Sequence, residues 1–562
     1  MWTQNYTPLY GNLGLSALVA ALPVFVLLYL IGIKRKPAWI SALSGLGAAV
    51  IVALLVYGMP AELMLSATAY GALFGLFPIG WIVYWAIVLY RVTEETGKFS
   101  IIKDSIGGLT DDRRLQALLI AFAFGAFVEG AAGFGTPVAV AAAMLTGLGF
   151  SPFYAAGICL LANTAPVAFG SIGIPVVTLA RITGLPEAEL SAWVGRICAP
   201  ISVIVPGYLI MVMGGWKALR GVMPAAALCG ISFASTQFVV SNYIGPQLTD
   251  ILSALVAIVA LAALLKVWKP ADTFDLPDSV PHTAPKSHSL GEVVLAWSPY
   301  LFLVFFVLLW GLSGNDVIKN WIRGTPVAFV AAALDAVNNF LISTTVRFDW
   351  PGLAGNVIQV APVTATPGPY PADQTRYTFD FLKASGTACL MASLASMLVL
   401  RLSPARYIGI LVATGRKLFT SMVTIASVLG LAYLLNFCGA TATMGLAFAA
   451  TGRLFPFFSA MLGWLAVFLT GSDTSANALF GNLQVVTAKT LGLNPVLMAA
   501  SNSAGGVMGK MISLQSIAVA AAATGMAASD EAKLFRFTLK HSIFLASSLG
   551  VIVMIYAYTF GR

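Results

Sequence analysis

Long apolar runs separated by short basic loops constrain this chain more than any other feature. A bilayer core of roughly 30 Å is crossed by a helix of about 20 apolar residues, and on the order of 12 to 14 such runs are present. The clearest lie at 13–33, 38–57, 66–90, 115–148, 153–180, 192–213, 251–265, 293–310, 386–402, 418–435, 455–469 and 542–560. With 59% hydrophobic and 9% charged residues over 562 positions, a water-soluble domain is excluded. The alternating pattern of a membrane barrel is not apparent, so helices must satisfy the backbone polar groups. The expected fold class is an all-α integral membrane protein.

The net charge of +9 reports topology, not a nucleic-acid partner, because the basic residues sit between the apolar runs. Lys34-Arg35-Lys36, Arg113-Arg114, and Lys533, Arg536 and Lys540 fit cytoplasmic loops under the positive-inside rule. Met1 and Arg562 are then both expected outside, which requires an even number of spans. Residues 1–12 lack a charged n-region, so the first run reads as a retained span and not as a cleaved signal. Two polar interruptions divide the chain into an N-terminal membrane half (1–268), a flexible cytoplasmic linker (269–291) and a C-terminal membrane half (292–562). The second half includes an external segment at 311–385, expected to hold one re-entrant or amphipathic helix.

Cys159, Cys198, Cys229, Cys389 and Cys438 fall inside apolar segments without close spacing, the pattern of packed free thiols. His282 and His288 lie in the polar linker and His541 at the mouth of the last run, so no metal, haem or other cofactor is expected.

Two stretches more than three hundred residues apart read as copies of each other. The first is Glu129-Gly-Ala-Ala-Gly-Phe-Gly-Thr-Pro137, then Leu148-Gly-Phe-Ser-Pro152, then Asn163-Thr-Ala-Pro-Val-Ala-Phe-Gly170. The second is Gly471-Ser-Asp-Thr-Ser-Ala-Asn477, then Leu491-Gly-Leu-Asn-Pro495, then Asn502-Ser-Ala-Gly-Gly-Val-Met-Gly509. Paired, Gly-interrupted apolar segments in corresponding halves point to a transporter's binding site. Gly133 and Gly135 before Pro137 predict a break in the 115–148 run, since Gly is permissive and Pro lacks a donor. Gly170 with Gly173 and Pro175 predicts a break in the next run, and Gly505, Gly506 and Gly509 predict one in its partner. Close helix packing through small residues is the competing explanation of these glycines. It leaves unexplained the polar residues among them, each costing several kcal/mol if unpaired in hydrocarbon.

A carboxylate in mid-membrane must carry a proton or have a close partner, which makes Glu129 and Asp473 candidate proton sites; a structural carboxyl at a broken helix end is the plainer alternative. Lys510 can receive a substrate carboxylate, pair with Asp473, or snorkel to the interface. Asn163, Thr164, Ser501, Asn502 and Ser503 are neutral donors beside the expected breaks, where half-helix N-termini hold anions.

Together with Asn436-Phe-Cys-Gly-Ala-Thr-Ala-Thr-Met-Gly445, Leu454-Phe-Pro-Phe-Phe-Ser459, Gly471-Ser-Asp-Thr-Ser475 and Gly506-Val-Met-Gly-Lys-Met-Ile-Ser513, the Glu129–Pro137 run resembles the bacterial L-lactate permease family over essentially the whole chain. The resemblance implies a polytopic inner-membrane symporter importing L-lactate, and often D-lactate and glycolate, with protons. Leu514, Ala476 and Ala504 depart from the family pattern and leave the preference among hydroxy acids open.

The reading reached is a transporter of two repeat-related halves, with broken helices facing each other near the midplane and a small 2-hydroxy-monocarboxylate and protons as its partners besides lipid. Sodium coupling is the rival, because Asn, Thr, Ser and unwound carbonyls also hold Na⁺. An intramembrane enzyme lacks a His-based pair in the membrane, and a passive channel has no need of isolated buried carboxyls.

Overall fold

The computed structural model describes residues 1–133, 135–272, 274, 286–314, 316–527 and 530–560. His282, most of the 269–291 linker and Arg562 lie outside the described residues. Among the described residues, ten helices are long and apolar enough to cross a membrane, and two bent pairs bring the number to 12. Ala38–Val56, Ala61–Glu95, Leu290–Ser313, Pro404–Cys438 and Glu531–Thr559 are among those that flank the helices of the site.

The site is built by ten helices: α1 (Arg113–Ala131), α2 (Thr136–Gly147), α3 (Pro152–Ala162), α4 (Gly170–Thr183), α5 (Glu187–Tyr243), α6 (Thr249–Val267), α7 (Phe455–Thr470), α8 (Asp473–Leu491), α9 (Pro495–Lys510) and α10 (Leu514–Thr524). Between α1 and α2 the chain reverses through Gly133 (φ +55°) and Gly135 (φ +82°), left-handed conformations that a side chain would strain. Pro137 then sits in the first turn of α2, where its missing N–H costs no helix bond. Arg113 donates to the Leu148 carbonyl, so α1 and α2 form a hairpin with both ends on one face of the protein. From that face α3 enters, bends by 65° through 163–169, and continues as α4 to the opposite face.

The second copy runs the other way. Across the tip at Gly471–Ser472, Ser459 Oγ donates to Gln484 Oε1 (2.7 Å) and Gln484 Nε2 donates back to the Ser459 carbonyl (3.2 Å), which fixes α7 and α8 as an antiparallel hairpin. Asn477 reaches the Pro175 carbonyl and Gly481 lies against Leu179, so α8 runs alongside α4 and ends on the face opposite Leu148. The hairpin therefore enters from that opposite face, and α9 and α10, separated at 511–513, return to the first one. A hairpin followed by a broken span, repeated with reversed direction, is an inverted repeat.

The expected break at Gly505, Gly506 and Gly509 is absent, because α9 is one uninterrupted helix through Lys510. These glycines make room for neighbours instead. A Cβ would stand 2.0 Å from the Ala460 carbonyl oxygen at Gly505 and 2.3 Å from the Trp464 carbonyl oxygen at Gly509. Close helix packing is thus the explanation that holds in the second copy, whereas backbone reversal holds in the first.

Helix α5 folds back on itself at Gly214–Gly215 (Gly215 φ +69°). Its limbs are joined by Ser202 Oγ donating to Gln237 Oε1 (2.7 Å) and Ser191 Oγ to the Ser241 carbonyl (2.8 Å). The returning limb is missing from the clearest apolar runs because Lys217, Arg220, Thr236, Gln237 and Asn242 dilute it.

Among the described residues, the segment at 311–385 holds three helices, Asp316–Arg323, Ala328–Ser343 and the single turn Ala372–Thr375, and four short strands. A strand at Trp2–Thr3 pairs in parallel with Val357–Gln359, so the N-terminal segment and this segment share a face. On the opposite face Arg114 binds Asp112 (2.7 Å) and Asp272 (2.9 Å), and its guanidinium pulls the Asp272 carboxyl below the usual carboxylate range.

Candidate functional site

Glu129 lies near the tip of the first hairpin, 4% exposed, and its Oε2 accepts from Asn163 Nδ2 at 3.0 Å. Asn163 stands where α3 ends, and Thr164 Oγ1 satisfies the Leu161 carbonyl there (2.8 Å). Gly170 lies under the carboxyl group, since a Cβ at that position would be 2.6 Å from Glu129 Oε1. Ser171 Oγ donates to the Ala132 carbonyl (3.2 Å), tying the break in the α3–α4 span to the hairpin tip.

Asp473 opens α8 at the tip of the second hairpin, 3% exposed, and its Oδ2 accepts from Ser503 Oγ at 2.6 Å. Gly506 lies under this carboxyl as Gly170 lies under the other, with a hypothetical Cβ 2.2 Å from Oδ1. Each copy thus presents a buried carboxyl at a hairpin tip, held by a neutral donor from the following helix and floored by a glycine. Asn163 Oδ1 and Asp473 Oδ1 are buried without a hydrogen-bond partner among the described residues.

Asn502 and Ser501 sit one helix layer behind. Asn502 Nδ2 donates to Asn477 Oδ1 (2.9 Å), Gln484 Nε2 donates to Asn502 Oδ1 (3.0 Å), and Asn477 Nδ2 reaches both Ser503 Oγ and the Pro175 carbonyl (3.1 Å each). Ser501 bonds the Met498 carbonyl and Ser459 Oγ. The result is a polar ladder from Ser459 through Gln484, Asn502, Asn477 and Ser503 to Asp473. Asn477 carries it across to the first copy.

Lys510 does not snorkel. It is 8% exposed, and its Nζ donates to the Gly471 carbonyl at 2.6 Å, capping the C-terminal end of α7 where the helix dipole favours a cation. Glu129 and Asp473 are both within its electrostatic range, while no direct Lys510–Asp473 ion pair forms among the described residues.

The family model for L-lactate permease matches residues 16–560. The chain belongs to the L-lactate permease family. It is similar to the L-lactate permease of Bacillus subtilis, 46% identical over 570 aligned residues that span 100% of this chain and 99% of the relative. The glycolate permease GlcA of Escherichia coli is 44% identical over 573, spanning 100% and 98%. Neisseria gonorrhoeae MtrF, a solved structure, superposes with a TM-score of 0.43 at 12% identity over 88% of this chain and 83% of that one.

In this member of the L-lactate permease family, two residues of the polar ladder were missed from sequence. Asn477 and Gln484 share a face of α8 with Asp473, at intervals of four and seven residues, a polar stripe at helical period that the weakly apolar run obscured. Asp250, in the first turn of α6, lies just outside the apolar run that begins at Ile251.

Replacing Lys510 by Met removes the cap from the Gly471 carbonyl and a cation within electrostatic range of both carboxyls. A buried acceptor left without its partner costs about 1–3 kcal/mol. The expected result is a markedly raised half-saturating lactate concentration, and unchanged uptake kinetics would return Lys510 to a purely structural role.

Proposed function

We propose that this protein is a secondary active transporter importing small 2-hydroxy-monocarboxylates, L-lactate with D-lactate and glycolate, together with protons across a bacterial inner membrane, with both termini outside. The observation that carries the reading is the pair of buried hairpin-tip carboxyls, Glu129 and Asp473, entering from opposite faces and sharing the range of Lys510. Glu129 and Asp473 take the proton. Asn163, Thr164, Ser501, Asn502, Ser503 and Lys510 form and support the anion site. The names and identities of the relatives support the substrate class.

Coupling follows from charge. A substrate carboxylate about 4 Å from an ionised Glu129 or Asp473 is repelled by about 4 kcal/mol at an effective dielectric constant of about 20, enough to suppress binding by roughly three decades. Protonation removes that repulsion and gives the carboxyl an O–H donor that a substrate carboxylate can accept. The proton therefore binds before or with the anion. Uptake into proteoliposomes under an imposed pH gradient, then an imposed Na⁺ gradient, tests this. Acid outside drives accumulation in the expected outcome, and uptake driven by Na⁺ at equal pH replaces the proton with sodium.

Asn163→Ala, Thr164→Ala, Asn502→Ala and Ser503→Ala each weaken lactate uptake, and at least one narrows the preference for lactate over propionate. Propionate lacks the 2-hydroxyl, and losing a donor to that hydroxyl costs about 1–3 kcal/mol. Competition of propionate with labelled lactate reads the discrimination directly. Four variants with wild-type selectivity would remove these residues from hydroxyl recognition.

A further inference from the structure

Asp250 is 1% exposed, and neither of its carboxyl oxygens has a hydrogen-bond partner among the described residues. Such a group is costly to bury, and here it satisfies no helix end and no neighbouring donor. Its surroundings are specific. It packs against Gly130, the residue after Glu129, where a Cβ would stand 2.8 Å from Asp250 Cβ, and it lies within electrostatic range of Glu129. Cys198 on α5 also lies within electrostatic range of Asp250.

We propose that Asp250 is a proton relay to Glu129. The carboxyl O–H of Asp250 gives its proton to the Glu129 carboxylate, and the Asp250 carboxylate so formed is reprotonated by hydronium before the next cycle, so each transfer is balanced. Gly130, which has no side chain, is what lets Asp250 pack against the turn that carries Glu129. The relay rests on the proton-coupled reading above and adds a second carboxyl to the path of the proton.

The test uses the full-length protein in proteoliposomes with wild type, Asp250→Asn and Asp250→Glu. In Asp250→Asn, lactate uptake driven by a pH gradient falls by at least about tenfold, the lower margin for a lost proton-transfer group. Lactate counterflow at equal pH on both sides persists, and Asp250→Glu restores gradient-driven uptake with a shifted pH profile. Normal gradient-driven uptake by Asp250→Asn overturns the relay. So does loss of counterflow together with uptake in a variant that remains monodisperse, because Asp250 is then structural. If wild type accumulates lactate with a Na⁺ gradient and not with a pH gradient, the coupling reading itself fails, and this control separates that failure from failure of the relay alone.

Discussion

Glu129→Gln and Asp473→Asn each abolish accumulation of lactate against its gradient. With one proton per substrate, each pH unit supplies about 1.4 kcal/mol, a factor of ten in concentration, so an inward gradient of about two units sustains roughly 100-fold accumulation. A variant that binds lactate but lacks either of the two proton-carrying carboxyls cannot convert that gradient, and its accumulation ratio falls to about one. The amides are chosen because they keep shape and the accepting oxygen. Gln at 129 still accepts from Asn163 and fits above Gly170, and Asn at 473 still accepts from Ser503 above Gly506. Loss of the protein itself is therefore not the expected outcome. Steady-state labelled lactate inside proteoliposomes of known volume, with acid outside, gives the ratio. If either amide variant concentrates lactate as wild type does, that carboxyl is structural and the coupling lies elsewhere.

Much of this arrangement was legible from the residues, for identifiable reasons. Acidic side chains inside apolar runs are rare enough that Glu129 and Asp473 stood out, and the spacing of Leu-Gly-x-x-Pro and Asn-Thr/Ser after each exposed the repeat. Gly and Pro at 133, 135 and 137 encode a reversal because backbone conformation is a local property. Close packing is not local. The same residue type at 505, 506 and 509 serves a helix that never breaks, and only the position of α7 distinguishes the two uses. Asp250 was invisible for a similar reason. Its significance depends on Gly130, 120 positions earlier, and no periodicity within α6 reports that neighbour.

The contact between α7 and α9 supplies the second large effect, because it separates packing from hinge. Gly463, Gly505 and Gly509 bring the two backbones together: a Cβ on Gly463 would be 1.9 Å from the Asn502 carbonyl oxygen, and one on Gly505 2.0 Å from that of Ala460. Both obstacles are main chain, so no rotamer change relieves them and the helices must separate. Overpacking of this kind costs typically about 1–3 kcal/mol, and occasionally more. Separation would also pull Asn502 and Ser503 away from Gln484 and Asp473, dismantling the ladder that fixes the second carboxyl. Gly505→Val is thus expected to lower the melting temperature in detergent strongly and abolish uptake, with Gly505→Ala intermediate, because the backbone there is helical and the penalty grows with side-chain size. Gly47 is the control. It lies in a helix with nothing within 4 Å of its would-be Cβ, and Gly47→Ala is expected to leave melting unchanged or raise it by up to about 1 kcal/mol of stability. A Gly505→Val protein that melts with wild type would show that α7 and α9 part without cost.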